Sequence, residues 1–218
     1  MGEDVRELVE VLKDIRDKLV GLYSLSTAVI YLGFGSIVGF NILLSVVVYP
    51  RVSEPLSTAI LLVFWILAIL ALNVLILKMF GKPIAKFREM LRGGRGDAGR
   101  SRRGFPAFAL VWSASFVAGY ALTSGLSYFG LLSDRYVAQL GLLTALALGN
   151  ILMSLALREW KVLMCGVAIA VLALPLPLTG SFDAAWTYAS GVIVTTYNLT
   201  GIAYVIEATR LIVGSRKG

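Results

Sequence analysis

The sequence predicts an all-α, polytopic membrane protein: six transmembrane helices preceded by a cytoplasmic amphipathic helix. Three observations carry this reading. Of 218 residues, 58% are hydrophobic and only 15% charged, with a mean hydropathy of +0.82. A soluble domain is about one quarter charged, and a water-soluble fold of this composition lacks the polar residues to cover its surface. Six apolar runs come close to the roughly 20 residues that cross a bilayer. Finally, Lys and Arg alternate between the connections, eighteen on one side and two on the other. Positive connections stay cytoplasmic, so both termini are expected inside a multi-pass protein of the cell membrane.

The first element is residues 1–21. Val5, Leu8, Leu12, Ile15, Leu19 and Leu22 follow one another at spacings of three and four, the seam of a heptad repeat. Arg6–Glu10 and Asp14–Lys18 stand at i,i+4, where opposite charges support a helix. Residues 3–18 hold six acids and four bases. Interfacial anchors are usually basic, so the seam is expected to meet protein rather than an anionic leaflet. A second copy, the chain's own basic loop or a soluble cytoplasmic partner would each serve.

The six-helix domain spans 22–213, with crossings near Leu22–Val48, Leu56–Leu77, Phe105–Leu132, Tyr136–Leu157, Val162–Leu178 and Ala184–Ile206. The fifth is short and ends in "LPLPLTG", where Pro175 and Pro177 cannot continue a helix without losing hydrogen bonds. That stretch reads as an extended or re-entrant loop. Residues 214–218 form a basic tail.

The connection 78–104 carries nine of the twenty basic residues. Its first half, with Lys82, Lys86, Arg88 and Arg92, also places Ile84, Phe87 and Leu91 on one side, as a short amphipathic helix at the head groups would. Arg102 and Arg103 close a Gly-rich second half. Each basic residue near an anionic leaflet gains about 1 kcal/mol. The loop is therefore read as topogenic and as the contact for anionic lipid head groups. No aromatic platform accompanies the arginines, so no nucleic-acid partner is expected. "RGD" at 95–97 faces the cytoplasm in this topology, against an adhesion role. The charged first 20 residues do not resemble a cleavable signal peptide.

Ionisable residues avoid the centre of every crossing; Glu207, near the cytoplasmic end of the sixth, comes closest. Arg210 stands three residues on and offers it an ion pair. Thr196, Thr200, Tyr204 and Glu207 fall within about 80° of one another on a helix, a polar stripe suited either to a cation or proton path or to helix packing. Asn41, Asn73, Asn150 and Asn198 also lie in or near crossings, and each is costly to leave unpaired in lipid. Gly35 and Gly39, like Gly141, Ala145 and Gly149, are small residues at the spacing that lets helices approach. "GFNILLS" and "GNILMSL" fall at equivalent positions of a three-plus-three inverted repeat, a match short enough to arise by chance.

The absence of histidine removes most zinc and haem sites and every histidine-based nucleophile pair. Cys165 is the sole cysteine, so no intrachain disulfide forms. It reads as a small apolar core residue. No metal-ligand cluster, paired intramembrane carboxylates or phosphate loop is present, so neither cofactor nor enzymatic activity is expected. Two classes of function remain: a non-enzymatic transport component (small permease, channel or membrane subunit), or a scaffold subunit that recruits a partner through the N-terminal helix and basic loop.

Overall fold

The computed structural model describes residues 2–48, 51–57, 59–68, 70–71, 74–75 and 104–214. Among them there is no strand. We number the helices α1 (Gly2–Val47), α2 (Glu54–Ala68), α3 (Gly104–Tyr128), α4 (Val137–Leu157), α5 (Trp160–Ala173) and α6 (Phe182–Gly214). Short 3-10 turns at Asp134–Tyr136 and Leu176–Leu178 lead into α4 and follow α5.

Four segments are long and apolar enough to cross a membrane: Val5–Ser45, Asp134–Leu157, Trp160–Leu178 and Phe182–Gly214. Large apolar side chains on them face outward; Leu155 is 69% exposed and Leu174 75%. Water penalises such a surface and hydrocarbon does not. The architecture is thus compatible with an integral membrane protein.

Helix boundaries follow local chemistry. Ser53 O accepts from Ser57 N at the start of α2, where Pro55 occupies the first turn and costs no hydrogen bond. The Ser181 hydroxyl accepts from Ala184 N at 3.2 Å and caps α6. Gly180, just before it, has a φ of 78°, a conformation glycine adopts freely. After α5, "LPLPLTG" folds into a tight 3-10 turn rather than the extended or re-entrant loop the prolines suggested. Leu178 N and Thr179 N bond back to Pro175 O and Leu176 O. Proline removes donors but not acceptors, and its fixed φ suits a 3-10 turn.

The largest departure from expectation is the length of α1 and α6. The seam-bearing segment is no separate element ending near residue 21. α1 runs unbroken for 46 residues, about 69 Å at 1.5 Å per residue. α6 runs for 33 residues to Gly214, past the expected end at Ile206. Both far exceed the roughly 30 Å hydrocarbon core. They pack antiparallel: Gly21 lies against Ile212, Ser24 against Glu207, Gly35 against Asn198 and Gly39 against Val194. A Cβ on Gly21 would stand 2.9 Å from Ile212, so this glycine permits the close approach rather than breaking the helix.

The other half of the bundle is α3 on α4 and α4 on α5. Small residues set these crossings too. Gly141 lies under Tyr120 and Thr123, Gly149 under Trp112, and Gly166 against Ala147 O and Ile151. α2 meets α1 through Phe34–Trp65 and Phe40–Phe64 ring contacts.

At Gly119 a Cβ would sit 2.7 Å from Ala145 N and 2.8 Å from Gly141 O. Backbone atoms cannot swing aside, so Gly119→Val must push α3 off α4. We expect a loss of about 1–3 kcal/mol, read as a lower Tm of the detergent-purified protein. Gly191 in α6 has nothing within 4 Å of the same position. There, Gly191→Ala should hold or raise Tm, since alanine is the better helix former by roughly 1 kcal/mol.

Candidate functional site

Polar side chains gather where α1, α4, α5 and α6 meet. The centre is Asn150 on α4, 1% exposed. Its Oδ1 accepts from Tyr31 Oη of α1 at 2.8 Å. Its Nδ2 donates to Leu146 O at 2.8 Å and to Tyr197 Oη of α6 at 3.2 Å. One amide thus ties three helices. The aromatic rings stack around it: Tyr31 lies 5.1 Å from Tyr197 and 6.0 Å from Tyr204, and Phe34 lies 5.0 Å from Tyr197.

Tyr204 leads from this amide toward an ionic cluster at one end of the bundle. Its hydroxyl donates to Glu159 Oε2 at 3.3 Å, and Lys161 Nζ stands 4.8 Å over its ring. Lys161 Nζ donates to Glu207 Oε1 at 2.9 Å and lies 4.0 Å from Glu159 Oε2. Ser24 Oγ of α1 donates to Glu207 Oε2 at 2.7 Å. The Lys161 side chain is only 8% exposed, whereas Glu159 and Glu207 keep 26% and 35%. One ammonium between two carboxylates leaves this trio with a net negative charge. From Tyr197 to Glu207 the column runs ten residues along α6, about 15 Å.

The tight α4–α5 turn builds the ionic end. Arg158 adopts a left-handed φ of 55° and Glu159 an extended conformation, so the chain reverses within two residues. A left-handed non-glycine residue costs about 1–2 kcal/mol. This turn places Lys161 in the first turn of α5, against α6.

Several expected site residues take other roles. Glu207 pairs with Lys161, not with Arg210: sequence neighbourhood favoured Arg210, but the buried ammonium is the one that α5 brings within reach. Thr196 and Thr200 are buried, yet their hydroxyls bond back to Val192 O and Thr196 O of their own helix. Of the predicted stripe, Tyr204 and Glu207 enter the cluster. Asn198 abuts Gly35 in the α1–α6 contact. Asn41 is half-buried, so it does not share the environment of Asn150, its counterpart in the inverted-repeat match. Asn73, and Lys82, Lys86, Arg88, Arg92, Arg102 and Arg103 with the loop around them, lie outside the described residues. Val5, Leu8, Leu12 and Ile15 are 44–59% exposed and Leu19 is half-buried. Cys165 is buried, its Sγ 4.0 Å from Thr196 O.

Ser24, Tyr31, Glu159, Lys161 and Tyr197 were not among the expected site residues. A signal existed for Lys161. The fourth connection is so short that its lysine must stay at the bundle end. Gln139 was missed too: fully buried, its amide joins Arg135 O and Trp186 Nε1 at 2.9 Å near the start of α4.

A bundle of apolar helices, with a polar column and, among the described residues, a largely buried lysine paired with two carboxylates, is the class the structure defines. No protein-family model matches the sequence, and no curated protein or solved structure is significantly similar to it.

Proposed function

We propose that this chain is a non-enzymatic transport component of the cell membrane, crossing it six times with both termini in the cytoplasm and passing a proton or small cation along the Tyr31–Asn150–Tyr204–Glu207 column. One observation carries the reading. Lys161 is an almost fully buried charge in an apolar bundle, held by two carboxylates at the end of a polar column. A charge buried in an apolar bundle is expensive, and such groups commonly mark an ion path. Its ammonium occupies the place a travelling cation would take, between Glu159, Glu207 and the Tyr204 ring. Release of Lys161 from Glu207 would open that place. The basic loop 78–104 sets orientation and contacts anionic head groups. The exposed apolar seam of α1 favours a second reading, an assembly subunit that recruits a protein through this helix.

Two experiments test the proposal. With Cys165 replaced by Ala, cysteines at Ser53, Ser133 and Ser181 should react with an impermeant thiol reagent outside intact cells, and one at Ser101 should not. Labelling at Ser101 would reverse the orientation. In proteoliposomes the wild-type protein should carry a proton or monovalent-cation flux under an imposed gradient. Glu207→Gln should abolish that flux while the protein stays folded. Unchanged flux in the variant removes Glu207 from the path.

A further inference from the structure

The register of α1 against α6 fixes what each face of the N-terminal segment looks toward. Gly21, Ser24, Ala28, Tyr31, Gly35 and Gly39 form the stripe turned to α6 or buried beside it. Continued toward the N-terminus at the same spacing, this stripe reads Asp17, Asp14, Glu10 and Glu7. The acids therefore lie on the bundle side. At 100° per residue, the Val5, Leu8, Leu12, Ile15 and Leu19 seam falls about 150–180° away. It points away from the chain's own bundle.

The contact pairs Gly21–Ile212 and Ser24–Glu207 also show where α6 runs out. Its last residue, Gly214, falls level with about residue 18 of α1. Roughly sixteen residues of α1, about 24 Å, project past it. Because α1 is one continuous helix, this stalk continues the axis of the segment packed on α6. Helices bend sharply at proline or a comparable disruption. α1 has no proline within Gly2–Val47, and Gly21 is locked against Ile212. Leu8, at 59% exposed, and Leu12, at 56%, lie on the face turned away from α6, and the six acids and four bases of residues 3–18 suit water better than hydrocarbon.

We propose that a second copy of this chain covers that face, the two stalks forming a short parallel coiled coil. Two copies inserted with the same orientation present their stalks side by side and pointing the same way. With Val5, Leu12 and Leu19 at a and Leu8 and Ile15 at d, the apolar residues form the interhelical seam. Glu7 and Asp14 fall at c, Glu10 and Asp17 at f, the positions farthest from the partner. The flanking positions set Asp4 against Val9, Val11 against Arg16 and Lys18 against Tyr23 across the pair, so no like charges face each other. Two and a half heptads are marginal for free peptides. Here the helix is already nucleated by the crossing below it, and the shared membrane raises the local concentration of stalks. The pairing does not depend on whether the bundle transports.

The test uses full-length protein in its membrane, with Cys165 replaced by Ala and single cysteines placed along the stalk. Under mild oxidation Leu8→Cys, Leu12→Cys and Ile15→Cys should cross-link to their equals in a second copy, at least about tenfold more than Glu7→Cys, Glu10→Cys and Asp14→Cys. Leu12→Glu should convert the detergent-purified dimer to monomer. Because a charged seam could also unfold the stalk, a Leu12→Glu copy co-expressed with a Leu12→Lys copy provides the control, and the mixture should recover the pair. Equal cross-linking on both faces, cross-links to a different polypeptide with none between copies, or an unchanged mass in Leu12→Glu would each overturn the proposal.

Discussion

Replacing Asn150 with leucine is expected to destabilise the protein by about 2–4 kcal/mol, the largest effect of any single polar substitution in the bundle. Leucine fills much of the same volume, so packing changes little. What is lost is the acceptor for Tyr31 Oη and the donor to Tyr197 Oη. Both tyrosines are over nine-tenths buried, and each hydroxyl left unsatisfied costs about 1–3 kcal/mol. Removing all the partners at once should cost far less, because replacing both sides of a hydrogen bond by apolar groups is nearly neutral. Asn150→Leu combined with Tyr31→Phe and Tyr197→Phe should therefore recover most of the stability. Thermal unfolding in detergent across this cycle separates the coupling from the single effects. A triple variant no more stable than Asn150→Leu would show that the tyrosine hydroxyls are not held by the amide.

Glu207→Ala is expected to cost about 2–3 kcal/mol. Breaking a fully buried pair costs roughly 3–5 kcal/mol. The smaller figure applies because water reaches Glu207 and because Glu159 stays within 4.0 Å of Lys161. Exchanging both members of the pair, as Lys161→Met with Glu207→Leu, removes the stranded charge as well. That variant should lie within about 1 kcal/mol of wild type, since apolar replacements of buried ion pairs are often neutral or better. If Glu207→Ala melts like wild type, the ion pair adds nothing to the fold and the contact is a surface one.

The helical class was legible in the apolar runs, which need no tertiary information. So was the helicity of residues 2–21, because the spacing that predicts it is a local pattern. The length of α1 was not. Gly21 looked like a boundary because glycine weakens an isolated helix by about 1 kcal/mol. In the fold it is the residue that admits Ile212, and contact with α6 outweighs propensity. The candidate site was legible by residue type but not by pairing. Asn150 and Glu207 stood out as polar groups in apolar surroundings. Lys161, 46 residues from Glu207, counted only as one of two basic residues in a short connection. Which cation serves which carboxylate is decided by how α5 docks on α6, and no local pattern encodes that. The same limit explains Arg210, three residues from Glu207 in sequence yet not its partner. Tyr31 and Tyr197 carried no local signal, since only the crossing of α1, α4 and α6 brings their hydroxyls to one amide.

The central claim is that the Lys161–Glu207 pair belongs to a conduction path and is not merely a clasp between helices. The most direct measurement is ion flux in proteoliposomes carrying the Lys161→Met, Glu207→Leu variant, with its Tm recorded on the same preparation. A clasp and a path make opposite predictions for this protein, because its fold should survive the exchange. Our account predicts a Tm close to wild type together with complete loss of proton or cation flux. Wild-type flux through the stable, uncharged variant would contradict it.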